Sequence, residues 1–194
     1  MKSCTQIWKT RNLTFKGKTL IVKNLLVSQI GYEIIQFQWK CINFIVYTVS
    51  RLQKMGKSNE LCHFCKNNTE TLQPLFFQCL KIKPIIEELN TMIIVLCDQT
   101  YVLNEEDIML GVYLYDKQNI KEVLFVNFLI FVAKRVRWKF RNEIKYNNIK
   151  FDTLKIKQML KIELKSNTAL ITKSLFLNKN IGKLLFENLQ TKLT

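Results

Sequence analysis

The sequence predicts a mainly α-helical protein, an irregular helical domain that carries one short cysteine-rich loop. Apolar residues recur along most of the chain at the three- and four-residue spacing of amphipathic helices. The 194 residues include only 5 glycines and 2 prolines, so helix breakers are few. Because 48% of the residues are apolar and 23% are charged, a collagen-like, low-complexity or disordered chain is excluded.

The N-terminal half contains two candidate helical regions. Helical spacing predicts a first helix from Gly17 to Gly31. The region from Glu33 to Leu52 is dense in large apolar residues, although its β-branched residues lower its helix propensity. A polar loop from Lys57 to Asn59 then leads into the cysteines.

Three further helices are predicted in the C-terminal half. They run from Pro84 to about Cys97, from Asn119 to Tyr146, and from Asp152, as the N-cap, to about Leu164. We expect the first two to pack together through six apolar residues: Ile85, Leu89, Ile93, Val123, Leu124 and Phe128. The acidic run from Glu105 to Asp107 either opens a helix or belongs to a loop.

The net charge of +15 points to a polyanionic partner, such as the backbone of RNA or DNA. The signs are segregated, since residues 87–116 hold seven acids and no base, whereas residues 134–165 hold eleven bases and three acids. The alternatives are solvated helix faces and a lysine excess that records AT-rich codons. No small-molecule substrate is evident. The candidate nucleic-acid-binding residues are Lys16, Lys18, Lys134, Arg135, Arg137, Lys139 and Arg141.

The sequence indicates no export signal and no membrane span. Residues Met1 to Arg11 lack the apolar stretch of a signal peptide. The most apolar run, Val123 to Ala133, is interrupted by Asn127 and is shorter than the roughly 20 residues of a spanning helix. We therefore expect a nuclear or cytoplasmic protein that is not secreted, with its six cysteines as reduced thiols or metal ligands.

Three cysteines have the spacing of a metal site. Cys62 and Cys65 are separated by two residues, which places both thiolates on one side of a tight turn, and Cys79 follows fourteen residues later. No His or Cys stands in the few residues before Cys79, His63 lies inside the turn, and Cys97 is a distant candidate for a fourth ligand. The alternative is that the three thiols are ordinary buried core residues.

The cysteine segment resembles the zinc-binding region that follows the polymerase in non-LTR (LINE-type) retrotransposon reverse transcriptases. The family's pattern is a CxxC, a short loop, Glu-Thr, His-Leu-Phe and a final Cys. This chain matches it through Cys62, Cys65, Glu70-Thr71, Leu75-Phe76 and Cys79, with Pro74 where the family has His. The resemblance implies a degenerate zinc-knuckle-like loop in which zinc binding is weak or lost.

Other parts of the chain resemble the same family in pieces. The stretch from Trp8 to Lys18 is similar to the family's thumb. Two stretches, Phe37–Lys40 and Arg51–Gly56, are similar to the region that precedes the zinc motif. The dipeptide Leu110-Gly111 and the stretch Asn127–Arg141 are similar to the family's last helices. The resemblance implies three segments: a thumb-like basic helical segment (1–34), an aromatic-rich and Cys-rich zinc-binding-like region (35–83) and a C-terminal helical region (84–194).

The resemblance implies a truncated, internally deleted remnant that is not an enzyme, because the polymerase palm with its paired aspartates has no counterpart. The remaining function is then non-specific binding of a nucleic-acid backbone. One alternative is a decayed reading frame that folds without a selected function, and another is a fragment that acts only within a larger polymerase. An active enzyme is unsupported, since the acids Glu87-Glu88 and Glu105 to Asp107 match no catalytic motif of the family.

Overall fold

The protein is mainly α-helical, as predicted, with an irregular arrangement of helices. A computed structural model describes residues 32–56, 61–97, 102–112 and 120–174, and no strand occurs within those ranges. In chain order the elements are α1 (Tyr32–Ile42), α2 (Val49–Lys54), a π-helical turn (Pro74–Gln78), a 3-10 turn (Leu80–Ile82), α3 (Lys83–Cys97), α4 (Glu105–Leu110), α5 (Ile120–Asn147) and α6 (Thr153–Ser174). The predicted helix from Gly17 to Gly31 lies outside the described residues.

Helix α5 is the centre of the fold, and α1, α3, α6 and the π-helical turn all pack against it. Its first half is buried on every side, from Phe125 to Lys134 with only Asn127 partly exposed. A helix that is apolar all round belongs in an interior. One hydrophobic core joins Ile34, Phe76 and Leu160, so the described parts of the predicted segments 35–83 and 84–194 share a core.

The three predicted C-terminal helices are confirmed, with differences at their ends. Helix α3 begins at Lys83, and three of the residues predicted to pack it against α5, Ile85, Leu89 and Ile93, are buried. Asp152 caps α6, because its Oδ1 accepts a hydrogen bond from the Leu154 amide at 2.8 Å. Helix α6 continues to Ser174, since no Gly or Pro follows Leu164 to stop it.

The apolar region from Glu33 to Leu52 forms two helices instead of one. Helix α1 ends in a Schellman arrangement, in which the Ile45 amide donates to the Lys40 carbonyl at 2.8 Å and the Phe44 amide donates to the Cys41 carbonyl at 3.1 Å. Phe44 has φ +56°, the left-handed conformation that glycine usually supplies at this position. The chain therefore turns away at Phe44 before α2 begins at Val49.

The acidic run from Glu105 to Asp107 forms the first turn of a helix, α4. The Asn104 side chain accepts a hydrogen bond from the Asp107 amide, and the Asp107 carboxylate accepts one from the Asn104 amide, which is a capping box at the start of α4. Gly111 ends that helix with φ +91°, where a Cβ would lie 2.6 Å from the Asn127 side-chain oxygen. Only glycine fits this approach of α4 to α5.

Within the described ranges, each helix is either too short or too polar to cross a bilayer.

Candidate functional site

A tight turn positions the first two cysteines. The Lys66 amide donates to the Cys62 carbonyl at 2.8 Å, and Lys66 takes φ +60° to close the turn. The Cys62 amide donates to the Asn68 carbonyl at 2.7 Å and fixes the loop that follows. Phe64, at the centre of the turn, is buried and packs at 5.5 Å between ring centroids against Phe151. The turn is therefore anchored to the helical core.

The π-helical turn Pro74–Gln78 positions the third cysteine, Cys79, which follows it directly. The Cys79 amide donates to the Pro74 carbonyl at 3.1 Å, which closes a wider turn than an α-helix makes. Pro74 begins this turn, where its missing N–H leaves no hydrogen bond unmade. Leu75 and Phe76 anchor the turn because both are fully buried.

The three cysteines lie close enough to bind one metal ion. The Sγ atoms of Cys62, Cys65 and Cys79 all lie within 4.8 Å of one another. Three sulfurs at about 2.3 Å from a tetrahedral zinc are about 3.8 Å apart, so small side-chain rotations bring all three onto one ion. The prediction that these cysteines converge is confirmed.

No fourth protein ligand joins the cluster among the described side chains. His63 is buried, but its ring nitrogens are not part of the group of converging ligand atoms. Pro74 has no side-chain donor atom, and the side chain of Cys97 lies outside the described residues. Three thiolates leave one position of a tetrahedral ion for water or an external ligand.

A hydrogen bond between the thiols of Cys62 and Cys79 shifts their pKa values in opposite directions. The pKa of the Cys62 thiol is lowered to about 6, chiefly because the Cys79 thiol donates a hydrogen bond to it, while burial opposes the shift and the Cys65 and Phe64 amides support it. The pKa of the Cys79 thiol is raised well above its ordinary value, because it is the donor in that bond and is buried. A divalent cation bound to both sulfurs would displace the proton of the hydrogen bond between Cys79 and Cys62.

Three residues predicted to bind nucleic acid are inside the protein. Lys134, Arg137 and Arg141 are 0%, 0% and 1% exposed. Because a buried cation cannot reach a phosphate, this part of the prediction is wrong. All three side chains lie in the interior of the protein, and each contacts a different segment of the chain.

The partners of these cations are main-chain carbonyls, side-chain amide oxygens and one carboxylate. Lys134 Nζ donates to the Gln38 side chain at 2.7 Å and to the Met109 carbonyl at 2.9 Å, and burial lowers its pKa to about 8. Arg137 Nη1 donates to the Phe76 carbonyl at 2.6 Å. Its Nε and Nη2 meet no acceptor among the described residues, and burial lowers the pKa of this guanidinium to about 9.

Glu70 is a buried charge that the sequence analysis did not assign a role. Its Oε1 accepts a hydrogen bond from Arg141 Nε at 3.0 Å and lies 2.8 Å from Arg141 Nη2, and both residues are excluded from solvent. The same oxygen accepts a hydrogen bond from the Val49 amide at the start of α2. The Glu-Thr of the zinc-region pattern was the signal that marked this residue.

The other predicted nucleic-acid residues have different positions. Arg135 and Lys139 both pair with Glu163 of α6, at 2.6 and 3.0 Å, and their side chains are 15% and 42% exposed. Their contact with phosphate stays a prediction. Lys16 and Lys18 lie outside the described residues.

No protein-family model matches the chain, and neither a curated protein nor a solved structure is similar to it. The arrangement of its own side chains is therefore the basis for a proposal about its function.

Removing either member of the Glu70–Arg141 pair should strongly destabilise the protein. Glu70→Gln or Arg141→Met leaves one buried group without its counter-charge, at a cost of about 3–5 kcal/mol in the free energy of unfolding. The double variant should lose clearly less than the sum of the two single variants, as measured by urea denaturation. Glu143→Gln, in the partly exposed Glu143–Lys155 pair, is the control and should cost less than about 1 kcal/mol. Strictly additive losses would contradict the coupling.

Proposed function

We propose that this chain is a non-catalytic helical module in which Cys62, Cys65 and Cys79 hold a zinc ion. The observation that carries the proposal is the convergence of three Sγ atoms within 4.8 Å from two separate turns. Zinc is the metal of choice because thiolates at this spacing favour a soft, tetrahedral ion. Its role is structural, since it would fasten the loop that begins at Cys62 to the turn that ends at Cys79.

The motif around the cysteines supports an origin in the zinc-binding region of a LINE-type reverse transcriptase. The buried Glu70 and Phe76 belong to the quoted pattern, and both have structural roles beside the cysteine turn. The proposed remnant binds zinc weakly, because Pro74 replaces the histidine of the pattern and offers no ligand atom. The alternatives remain a decayed reading frame without a selected function and a fragment that works only within a larger polymerase.

Zinc affinity should fall as the pH falls. The raised pKa of Cys79 means that this thiol gives up a proton on binding, so the apparent affinity should drop about tenfold or more per pH unit between about pH 8 and about pH 6. Competition with a chromogenic chelator measures this dependence and the stoichiometry, which should be one zinc per chain. Cys79→Ser should abolish binding, whereas Cys41→Ser, at a buried thiol outside the cluster, should not. Equal affinity at both ends of the pH range would count against thiolate ligation.

Restoring histidine at residue 74 should strengthen zinc binding. The main chain of residue 74 is hydrogen-bonded to that of Cys79, so an imidazole there would belong to the same turn as one cysteine of the cluster. Pro74→His should raise zinc affinity about tenfold or more, because a protein ligand replaces water at the fourth position. Gln73→His adds the same group one residue earlier and should have a smaller effect. If both variants bind zinc as the parent does, the fourth position is not at residue 74.

A second candidate function, non-specific binding of a nucleic-acid backbone, is favoured by the charge balance. Of the described acids, Glu70, Glu88, Glu143 and Glu163 each pair with a base of the same chain. A chain with thirty bases and fifteen acids still carries an excess of positive charge after such pairing. That excess would attract phosphates without reading a sequence.

Binding to nucleic acid should weaken linearly with salt on a double-logarithmic plot, by about 0.7 to 0.9 per phosphate contacted. Fluorescence anisotropy with a labelled oligonucleotide at several salt concentrations measures this slope. Arg137→Met should keep the parent slope, because this guanidinium is fully buried. A flatter slope in that variant would mean that Arg137 reaches phosphate, and the absence of binding at low salt would remove this second function altogether.

A further inference from the structure

Exposed aromatic side chains and basic side chains are concentrated in the part of the chain where α1 ends and α2 begins. We call this set of side chains the aromatic platform and define it by Trp39, Phe44 and Tyr47 with Lys40, Arg51 and Lys54. The three aromatic residues are 45%, 37% and 52% exposed. Large aromatic residues are expensive to leave in water, and three within nine positions of the sequence are more than scattered surface exposure.

Phe44 adopts a backbone conformation that is unfavourable for a residue with a side chain. Phe44 occupies the left-handed position of the Schellman turn, a conformation that is unfavourable for a residue with a Cβ and far less so for glycine. A bulky ring at this position is not explained by the turn itself, since glycine would make the same hydrogen bonds. The ring is also not fully covered by the core. Phe44 therefore keeps a ring that is 37% exposed at a position where glycine would make the same turn.

Arg51 orders the neighbouring part of the platform. Its guanidinium carbon lies 5.4 Å from the centroid of the Tyr47 ring, which is a cation–π contact, and Nη1 donates to the Phe44 carbonyl. Arg51 thus links the Tyr47 ring to the Phe44 main chain and places a positive charge against that ring. Behind the platform, the Val49 and Ser50 amides at the start of α2 both donate to Glu70.

The charge of this segment is of one sign. Residues 34–59 contain four bases, Lys40, Arg51, Lys54 and Lys57, and no acid. The nearest buried carboxylate, Glu70, is already paired with Arg141. Exposed rings interspersed with positively charged side chains complement a ligand with flat apolar faces and a negative backbone.

We propose that the aromatic platform binds single-stranded nucleic acid by stacking bases on Trp39, Phe44 and Tyr47 while the three bases contact phosphates. This inference rests on the second function proposed above and names its surface and strand type. A duplex is the poorer ligand, because its bases are stacked on each other and offer no free faces. An anionic membrane is also the poorer ligand, because α2 has only six residues and is too short to lie in an interface as an amphipathic helix.

Binding of a fluorescein-labelled oligodeoxythymidine tests the proposal. A strand of about 20 nucleotides exceeds the roughly 4–16 nucleotides that one small single-strand-binding fold covers. We expect the full chain to bind this strand more tightly than a duplex of the same length in anisotropy titrations. Trp39→Ala and Tyr47→Ala should each weaken strand binding about fivefold or more. Tyr146→Ala is the matched control, since Tyr146 is 69% exposed beside Lys145 but far along the chain on α5, and it should bind like the parent.

A pair of substitutions at Phe44 separates stacking from folding. Phe44→Gly and Phe44→Ala both remove the ring, so both should weaken strand binding equally. Glycine suits the left-handed turn better, so Phe44→Gly should have the higher midpoint of thermal unfolding. If strand affinity instead follows thermal stability, with Phe44→Ala the weaker binder, the ring is structural and the proposal is overturned.

The remaining outcomes distinguish this proposal from general backbone binding. Equal affinity for strand and duplex, with platform variants that bind like the parent, would overturn the platform and leave salt-dependent backbone binding intact. The absence of binding to either oligonucleotide at low salt would overturn both. Platform-dependent binding to phosphatidylserine vesicles without binding to the strand would overturn the proposal in favour of a membrane surface.

Discussion

The buried ion pair between Glu70 and Arg141 joins three parts of the fold. Arg141 belongs to the central helix α5, and Glu70 lies in the loop between the cysteine turn and the π-helical turn. Through Oε1 and its main-chain carbonyl, Glu70 also accepts the Val49 and Ser50 amides that begin α2. Because a charge removed from water must be compensated where it lies, this pair fixes the position of the loop and of α2 together.

The other buried cations of α5 extend the same principle along one helix. Lys134 and Arg137 donate to carbonyls of Met109 and Phe76, which lie in α4 and in the π-helical turn. Short helices and wide turns leave main-chain carbonyls without partners of their own, and such groups are costly when buried. Long basic side chains reach them from a rigid helix. The Arg137 side chain reaches only one such carbonyl, and its Nε and Nη2 are buried without an acceptor among the described residues.

Much of the helical framework follows from the sequence, whereas the role of the cations does not. The extents of α3 and α5 follow from apolar spacing and from Pro84 at a first helical turn. The burial of Arg137 and Arg141 could not be read in the same way, because an arginine on a helix has the same local pattern whether it faces water or a buried carbonyl. The partners are distant in sequence, as Glu70 is from Arg141. Only the all-round apolar character of the preceding turns pointed to burial.

The cysteine cluster and the aromatic platform are linked through the same short stretch of chain. A metal ion on Cys62 and Cys65 would hold the turn whose amide bonds to Asn68, two residues before Glu70. Glu70 in turn holds the start of α2, and α2 carries Arg51, which orders the Tyr47 ring. Glu70 therefore connects the loop of the proposed metal site to the start of the helix that carries Arg51. A metal ion that orders the cysteine loop would also restrict Glu70, which holds the start of α2. The two proposed sites therefore both depend on the position of Glu70.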